Sequence, residues 1–348
     1  MTIIPFEARK LNESQLQELY DLQCSVQEEI FPEDSHLSFK LWKELLINTN
    51  SHYTIFRWLA VIDRKERIIG CGRLSYPNED SPMFENMKNI ADFDIIVESD
   101  ERRKGIGKSL LAEITAKADS LERHSLQNVT IHKHGKAFCD YFGCTVASER
   151  SVNRLYLADV NWKRMREWVE LGKIKAPNTK VETFEAVPKD CLEEFVAVYT
   201  QTENQAPDYE TGYYQGLKVT PESRRHNESM FKEKGYVWTT KISREENGSI
   251  SGLTEIFYNP EIPNMVEQEL TGVLPEYRER GLGKWLKAAM AFYVKSTYPS
   301  IEFIQTGNAN NNETMNAINK RMGFKPVCDQ YLVKLDTSSI IEKLNEKK

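Results

Sequence analysis

The sequence predicts an α/β chain of two related domains, and three observations carry that prediction. The chain repeats itself: residues 97–108 read VESDERRKGIGK and residues 273–284 read VLPEYRERGLGK, at a constant offset of 278 − 102 = 176. Each copy lies between an apolar strand pattern (93–97 and 270–273) and a helical one. Each half also carries hairpin signals upstream of its loop, so the two periodicities alternate twice along 348 residues, a length that suits about two domains.

The elements follow in order. Ile4-Pro5-Phe6-Glu7-Ala8 resembles Glu182-Thr183-Phe184-Glu185-Ala186, and each precedes a polar break and a helical stretch, 189–202 in the second copy. A hairpin is predicted from 58–62 and 68–74 around the polar turn 63–67, and again from 236–242 and 250–257 around Glu246-Asn247-Gly248. After each loop the apolar spacing becomes helical, with Ile106, Leu110, Ile114 and Ala118 on one side, then Leu282, Trp285, Leu286, Ala289 and Tyr293. A further strand follows each helix, at 128–132 and 301–305. The charged stretch 164–179, with Lys173, Lys175 and Pro177, reads as a helix end and linker. The expected division is a first domain at 1–160, a linker at 161–178 and a second domain at 179–348.

Net charge is −6 and the pI is 5.7, which excludes general nucleic-acid affinity. The basic clusters at Arg102-Arg103-Lys104 and 278–284 then serve something smaller than a polymer. Six cysteines form no C-x-x-C pair, as expected of reduced thiols. Met1-Thr2-Ile3-Ile4-Pro5-Phe6 lacks the charge-then-apolar order of a signal peptide, and no apolar stretch approaches ~18 residues. A cytoplasmic protein with no membrane partner is expected. His132 and His134 share a face in H-x-H spacing, but no carboxylate or Cys completes a set, so no metal is expected.

A strand, then R-x-x-G-x-G, then a helix is a phosphate cradle. Glycines let backbone N–H groups close on an anion, and the helix N-terminus adds its positive end. Two related motifs do not fit. A Walker A loop needs Gly where this chain has Arg102, and the second copy has Trp285 in place of Ser or Thr. A dinucleotide fingerprint needs Gly or Ala at 110 and 286, and both are Leu.

The loop resembles the acetyl-CoA pyrophosphate loop of the GNAT N-acyltransferase superfamily. Residues 306–324, TGNANNNETMNAINKRMGF, are similar to the family's second cofactor motif, with Asn308, Asn312, Met315, Asn319, Gly323 and Phe324 in register. The first half matches at its loop and helix, and more loosely over 132–144, which is shorter. The resemblance implies two tandem GNAT-like domains, each a mixed, mostly antiparallel sheet flanked by helices with a splayed parallel strand pair. It also implies acetyl transfer from acetyl-CoA to an amine of a small molecule or peptide, by direct attack. By the family pattern the cofactor would lie on Val273, Arg278, Glu279, Arg280, Gly281, Leu282, Gly283, Lys284, Asn308 and Asn312, and in the first half on Val97, Arg102, Arg103, Gly105 and Gly107. Asn312 reads equally as a helix N-cap.

The Val273 N–H is expected to stabilise the thioester oxygen as charge develops there. Relatives place a base six residues before the closing Val, which is Glu267 here; Glu269 shares its strand face, and surface carboxylates are the plain alternative. The first half has Ala91 at the equivalent position. The family's acid, a Tyr four residues before Gly-Phe, is replaced by Asn319 and, in the first half, Cys139, so Tyr331 or solvent is left as the donor. Glu255 and Tyr213 are candidate acceptor contacts. The second domain is therefore expected to be catalytic and the first chiefly structural, with a non-catalytic CoA-binding or sensing protein as the rival reading.

Overall fold

A computed structural model describes residues 1–49, 52–62, 67–81, 84–205 and 218–346. In chain order the first half forms β1 (Thr2–Pro5), α1 (Glu13–Glu28), α2 (Phe39–Ile47), β2 (Tyr53–Ile62), β3 (Arg67–Pro77), β4 (Ile90–Val97), α3 (Ile106–Asp119), β5 (Ser125–Thr130), α4 (Lys133–Tyr141) and β6 (Thr145–Tyr156). The rest forms α5 (Trp162–Lys175), β7 (Lys180–Phe184), α6 (Leu192–Glu203), α7 (Pro221–Glu233), β8 (Val237–Arg244), β9 (Ile250–Tyr258) and β10 (Met265–Val273). Then follow α8 (Leu282–Thr297), β11 (Phe303–Ala309), α9 (Glu313–Met322), β12 (Lys325–Asp336) and α10 (Thr337–Asn345).

Two compact units result, one of residues 1–149 with 330–348 and one of residues 150–329. In the first, the strands run β1-β2-β3-β4-β5 and then the end of β12, where Tyr331 lies opposite Thr130 and Asp336 opposite Ser125. In the second they run from the end of β6 through β11-β10-β9-β8 to β7, with Tyr156 opposite Phe303 and Arg150 opposite Ala309. Within each unit neighbouring strands are antiparallel except β4 with β5 and β10 with β11. Those parallel pairs are short. Contact runs from Met265↔Phe303 to Glu267↔Gln305, while β10 continues to Val273 and β11 to Ala309 without each other. The first unit repeats this, from Ile90↔Ser125 to Asp92↔Gln127.

Burial explains the helices. Ile106, Leu110, Ile114 and Ala118 of α3 are all buried, packed with Trp58, Ile69, Phe93, Leu126, Val333, Leu335 and Ile340. The 3.6-residue spacing of the sequence is thus the core face of this helix. In the second unit Ala288, Met290, Ala291 and Val294 of α8 meet Ile256, Val266 and Ile304, while Phe195, Val196 and Val198 of α6 meet Ile242, Ile250 and Leu253. Most of the stretch expected as a linker folds as α5, capped where the Asn161 side chain accepts from the Arg164 N–H. It seats on α8 so closely that a Cβ on Gly172 would lie 2.8 Å from Trp285.

Candidate active site

The two loops share one backbone conformation. A short 3₁₀ turn (Ser99–Glu101; Pro275–Tyr277) leads to an extended Arg, Arg102 or Arg278. Arg103 and Glu279 then take φ 64° and 65°, and Gly105 and Gly281 take 86° and 80°. The left-handed turns at 105 and 281 are what glycine supplies, and no other residue does so without strain. In this conformation none of the backbone N–H groups of residues 103–108 or 279–284 has an acceptor among the described residues. That leaves an unfilled row of donors running into the start of α3 and α8, which suits a diphosphate.

The side chains of the loops serve the fold. Arg278 Nε donates to the Val273 carbonyl at 3.2 Å, and Nη2 donates to Gln205 Oε1. Arg280 Nη2 donates to Thr179 Oγ1 at 3.0 Å and Glu245 Oε2 at 2.9 Å, beside a cavity of about 450 Å³ lined by Pro177, Asn178, Tyr277 and Arg280. Leu282 is core, and Lys284 lies 5.8 Å above the Trp168 ring. In the first unit Arg102 Nε likewise donates to the Val97 carbonyl at 3.0 Å, but both terminal nitrogens grip the Glu29 carboxylate, at 2.7 and 2.6 Å. Glu29 also meets His132 Nε2 at 2.9 Å. The bonds from Arg102, and then His132, hold its carboxyl below the usual range against partial burial.

The units differ where the parallel strands part. The register of β10 with β9 shifts between Gln268 and Thr271, a bulge that takes Glu269 and Leu270 out of the ladder. Beyond it, the Leu274 N–H donates to the Ser251 carbonyl at 3.0 Å. Antiparallel pairs alternate, so Thr271 and Val273 sit in the non-hydrogen-bonded pairs and turn their N–H groups away from β9, into the splay. In the first unit β4 holds an unbroken register from Ser75↔Asp92 to Gly70↔Val97. There Asn128 of β5 reaches across the splay to the Phe93 carbonyl and to Asp94 Oδ1 at 2.9 Å. By register the residue matching Asn128 in the second unit is Thr306, whose Oγ1 donates to the Gln268 carbonyl at 3.0 Å, so both splays are bridged at this level and the bulge is what sets β10 apart.

Glu267 and Glu269 are brought together on one face of β10, with Gln268 turned inward to Thr254 Oγ1 and the Glu255 carbonyl. Both side chains reach water but are otherwise crowded by protein. Burial raises the carboxyl pKa of Glu267. Burial, then the charges of Glu267, Glu255 and Glu203, raise that of Glu269, with Arg150 opposing. This is the environment of a carboxylate that can take a proton near neutrality.

Other expected site residues fall elsewhere. Glu255 is fully buried: its Oε1 takes hydrogen bonds from Arg224 Nη2 at 2.8 Å and Thr240 Oγ1 at 2.6 Å. Arg224 in turn binds Glu228 at 2.9 Å and stacks 3.7 Å over the Trp238 ring. Tyr331 belongs to the first unit's sheet, opposite Thr130, not to the unit that holds Glu267 and Glu269. The Asn312 side chain accepts from the Met315 N–H at 3.2 Å, which makes it the N-cap of α9, and Asn308 accepts from Asn319 at 2.6 Å. Tyr213 lies outside the described residues. Glu29, Gln205 and Thr271 escaped the sequence reading. Glu29 and Gln205 correspond in place, just past the ends of α1 and α6, and in contact, each with the arginine of its loop.

Two units, each with a splayed parallel pair feeding an anion-cradling loop, define a tandem acyltransferase-type α/β fold. The profile of the Acetyltransferase (GNAT) family matches residues 16–139 and again 193–324, and the chain belongs to that family. Among solved structures it resembles the tandem GNAT protein of the clavulanic acid biosynthesis pathway, with TM-score 0.74, 18% identity, and 97% of this chain and 98% of that one covered. It also resembles a GCN5-related N-acetyltransferase from Sphaerobacter thermophilus (TM-score 0.63, 12% identity, 96% of each chain). A fungal glucosamine N-acetyltransferase region is similar too (TM-score 0.64, 13% identity, 96% of this chain and 38% of that one). These likenesses show the fold. No curated protein matches in sequence. Among the described residues no helix is long and apolar enough to cross a membrane, and no His, Cys, Asp and Glu group could hold a metal ion.

Proposed function

We propose that the chain is an N-acetyltransferase that moves the acetyl group of acetyl-CoA to a primary amine, with the chemistry in the second unit. The observation that carries this is the splay beside β10, where a bulge and two carboxylates of raised pKa coincide. The N–H groups of residues 279–284 would hold the pyrophosphate, and acetyl-CoA would supply the activated acyl thioester. The N–H groups of Thr271 and Val273 point where an oxygen gaining charge would need a donor, a contribution of about 2–4 kcal/mol to the barrier. Glu267 or Glu269, directly or through water, takes the proton that the attacking amine must lose. The leaving thiolate takes its proton from solvent, since Asn319 is buried and bonded to Asn308 and Tyr331 belongs to the other unit.

Thiol release from acetyl-CoA across polyamines, aminoglycosides, amino acids and peptides is the test. Glu267→Gln or Glu269→Gln should lower kcat on the order of a hundredfold with little change in KM for acetyl-CoA. The base must be unprotonated, so the raised pKa places the rise of kcat/KM with pH above the usual carboxylate range. Binding of acetyl-CoA without turnover on any amine would sink the enzyme reading and favour a CoA-binding or sensing protein, which the buried Asn319 in the family's acid position supports.

A further inference from the structure

We infer that Glu29 closes the first unit's loop to a CoA pyrophosphate, and that the residue at this repeat position selects which loop accepts the diphosphate. This rests on the reading that the loops are CoA sites. Glu29 and Gln205 lie one and two residues past the ends of α1 and α6, and each meets the arginine that follows its strand. The contacts differ in charge. Glu29 covers both terminal nitrogens of Arg102, so the charge of the arginine that opens the first loop is cancelled by the chain's own carboxylate. Gln205 offers Arg278 a neutral amide oxygen and leaves its charge intact.

Geometry keeps the carboxylate in place. Glu29 and Arg102 are only 27% and 20% exposed, and the third partner, His132, also binds Glu29. An incoming diphosphate at the N–H row of 103–108 would meet a fixed negative group, and like charges in a half-buried site repel with little screening. Displacing Glu29 would leave it without Arg102 and His132 together. Backbone shape does not separate the loops, because residues 103 and 105 match 279 and 281 in conformation. The difference is one of electrostatic rejection, a specificity device that acts by repulsion.

Calorimetric titration of the full chain with CoA measures it. The natural protein should bind one CoA and Glu29→Gln two, since the substitution copies a contact the second unit already uses. The reciprocal Gln205→Glu should raise the Kd of the second site about tenfold, with the loss shrinking at high salt. A stoichiometry of one for both the natural protein and Glu29→Gln, with Gln205→Glu unchanged in Kd, would overturn the inference and leave the CoA reading standing. Two CoA on the natural protein would also overturn it. No CoA binding by any of the three would instead overturn the CoA reading, and the inference with it. Circular dichroism of each variant separates a lost site from a lost fold.

Discussion

Lys287 sits on α8, 1% exposed, with its ammonium 5.2 Å over the Phe324 ring and, among the described residues, only the Met315 sulfur, at 3.9 Å, as a hydrogen-bond partner. Its repeat equivalent is Leu111, which is fully buried. Burial alone drives the lysine pKa from 10.5 to about 7. Below pH 7 both folded and unfolded chains hold the proton and the full cost of burying the charge is present. Between pH 7 and 10.5 only the unfolded chain keeps it, so stability rises with pH, by at most about 1.4 kcal/mol per unit from this one group. Lys287→Leu should therefore flatten the rise in denaturation midpoint between pH 7 and 9 and leave the protein at least as stable at pH 7. An identical slope in both proteins would contradict the assignment. Single residues were also where sequence reading was weakest. The residue type of Glu255 fits a substrate contact, and only the packing of Arg224 against Trp238 shows it as a buried ion pair. The sequence marks a carboxylate and not its partner.

Elements were largely legible because their signals are local. Helical spacing after each loop, the turn glycines and the closing valines all follow from neighbours in the chain. The bulge in β10 was not, because a register shift depends on β9 as much as on β10. Nor was the bridging of the first splay by Asn128, which needs the two strands side by side. Asn312 joins motif and element, as a family position and as the cap of α9. Asn312→Ala should destabilise by about 1 kcal/mol, and Asn312→Ser should restore most of that loss. If Asn312→Ser also restores KM for acetyl-CoA, the residue acts through the helix start. A KM that stays raised in a re-stabilised Asn312→Ser protein would point to direct contact with the cofactor.

For the whole molecule, the repeat made two related units readable from the sequence. The assignment of strand ends to sheets was not, since 145–156 and 325–336 carry the same β-rich pattern and nothing local marks which sheet each completes. The first unit draws Val333, Leu335 and Ile340 from residues 330–348 into the core around α3. A chain cut after Asp329 loses all three. Loss of one buried Leu or Ile alone costs roughly 2–5 kcal/mol, so residues 1–149 should become sensitive to protease and exchange amide hydrogen freely. Retained protection across β2 to β5 in the cut chain would show that the first unit's core stands without its last segment.

That division has a consequence for synthesis. The second unit is one continuous stretch, 150–329, whereas the first must wait for 330–348. On a ribosome the unit begun first is thus completed last. Until residues 330–336 emerge, β5 stands as an open sheet edge with unpaired donors and acceptors along Ser125–Thr130. At about 5–20 residues per second the roughly two hundred residues between β5 and that stretch take on the order of 10–40 s, a window in which a nascent chain can pair with another before it pairs with itself.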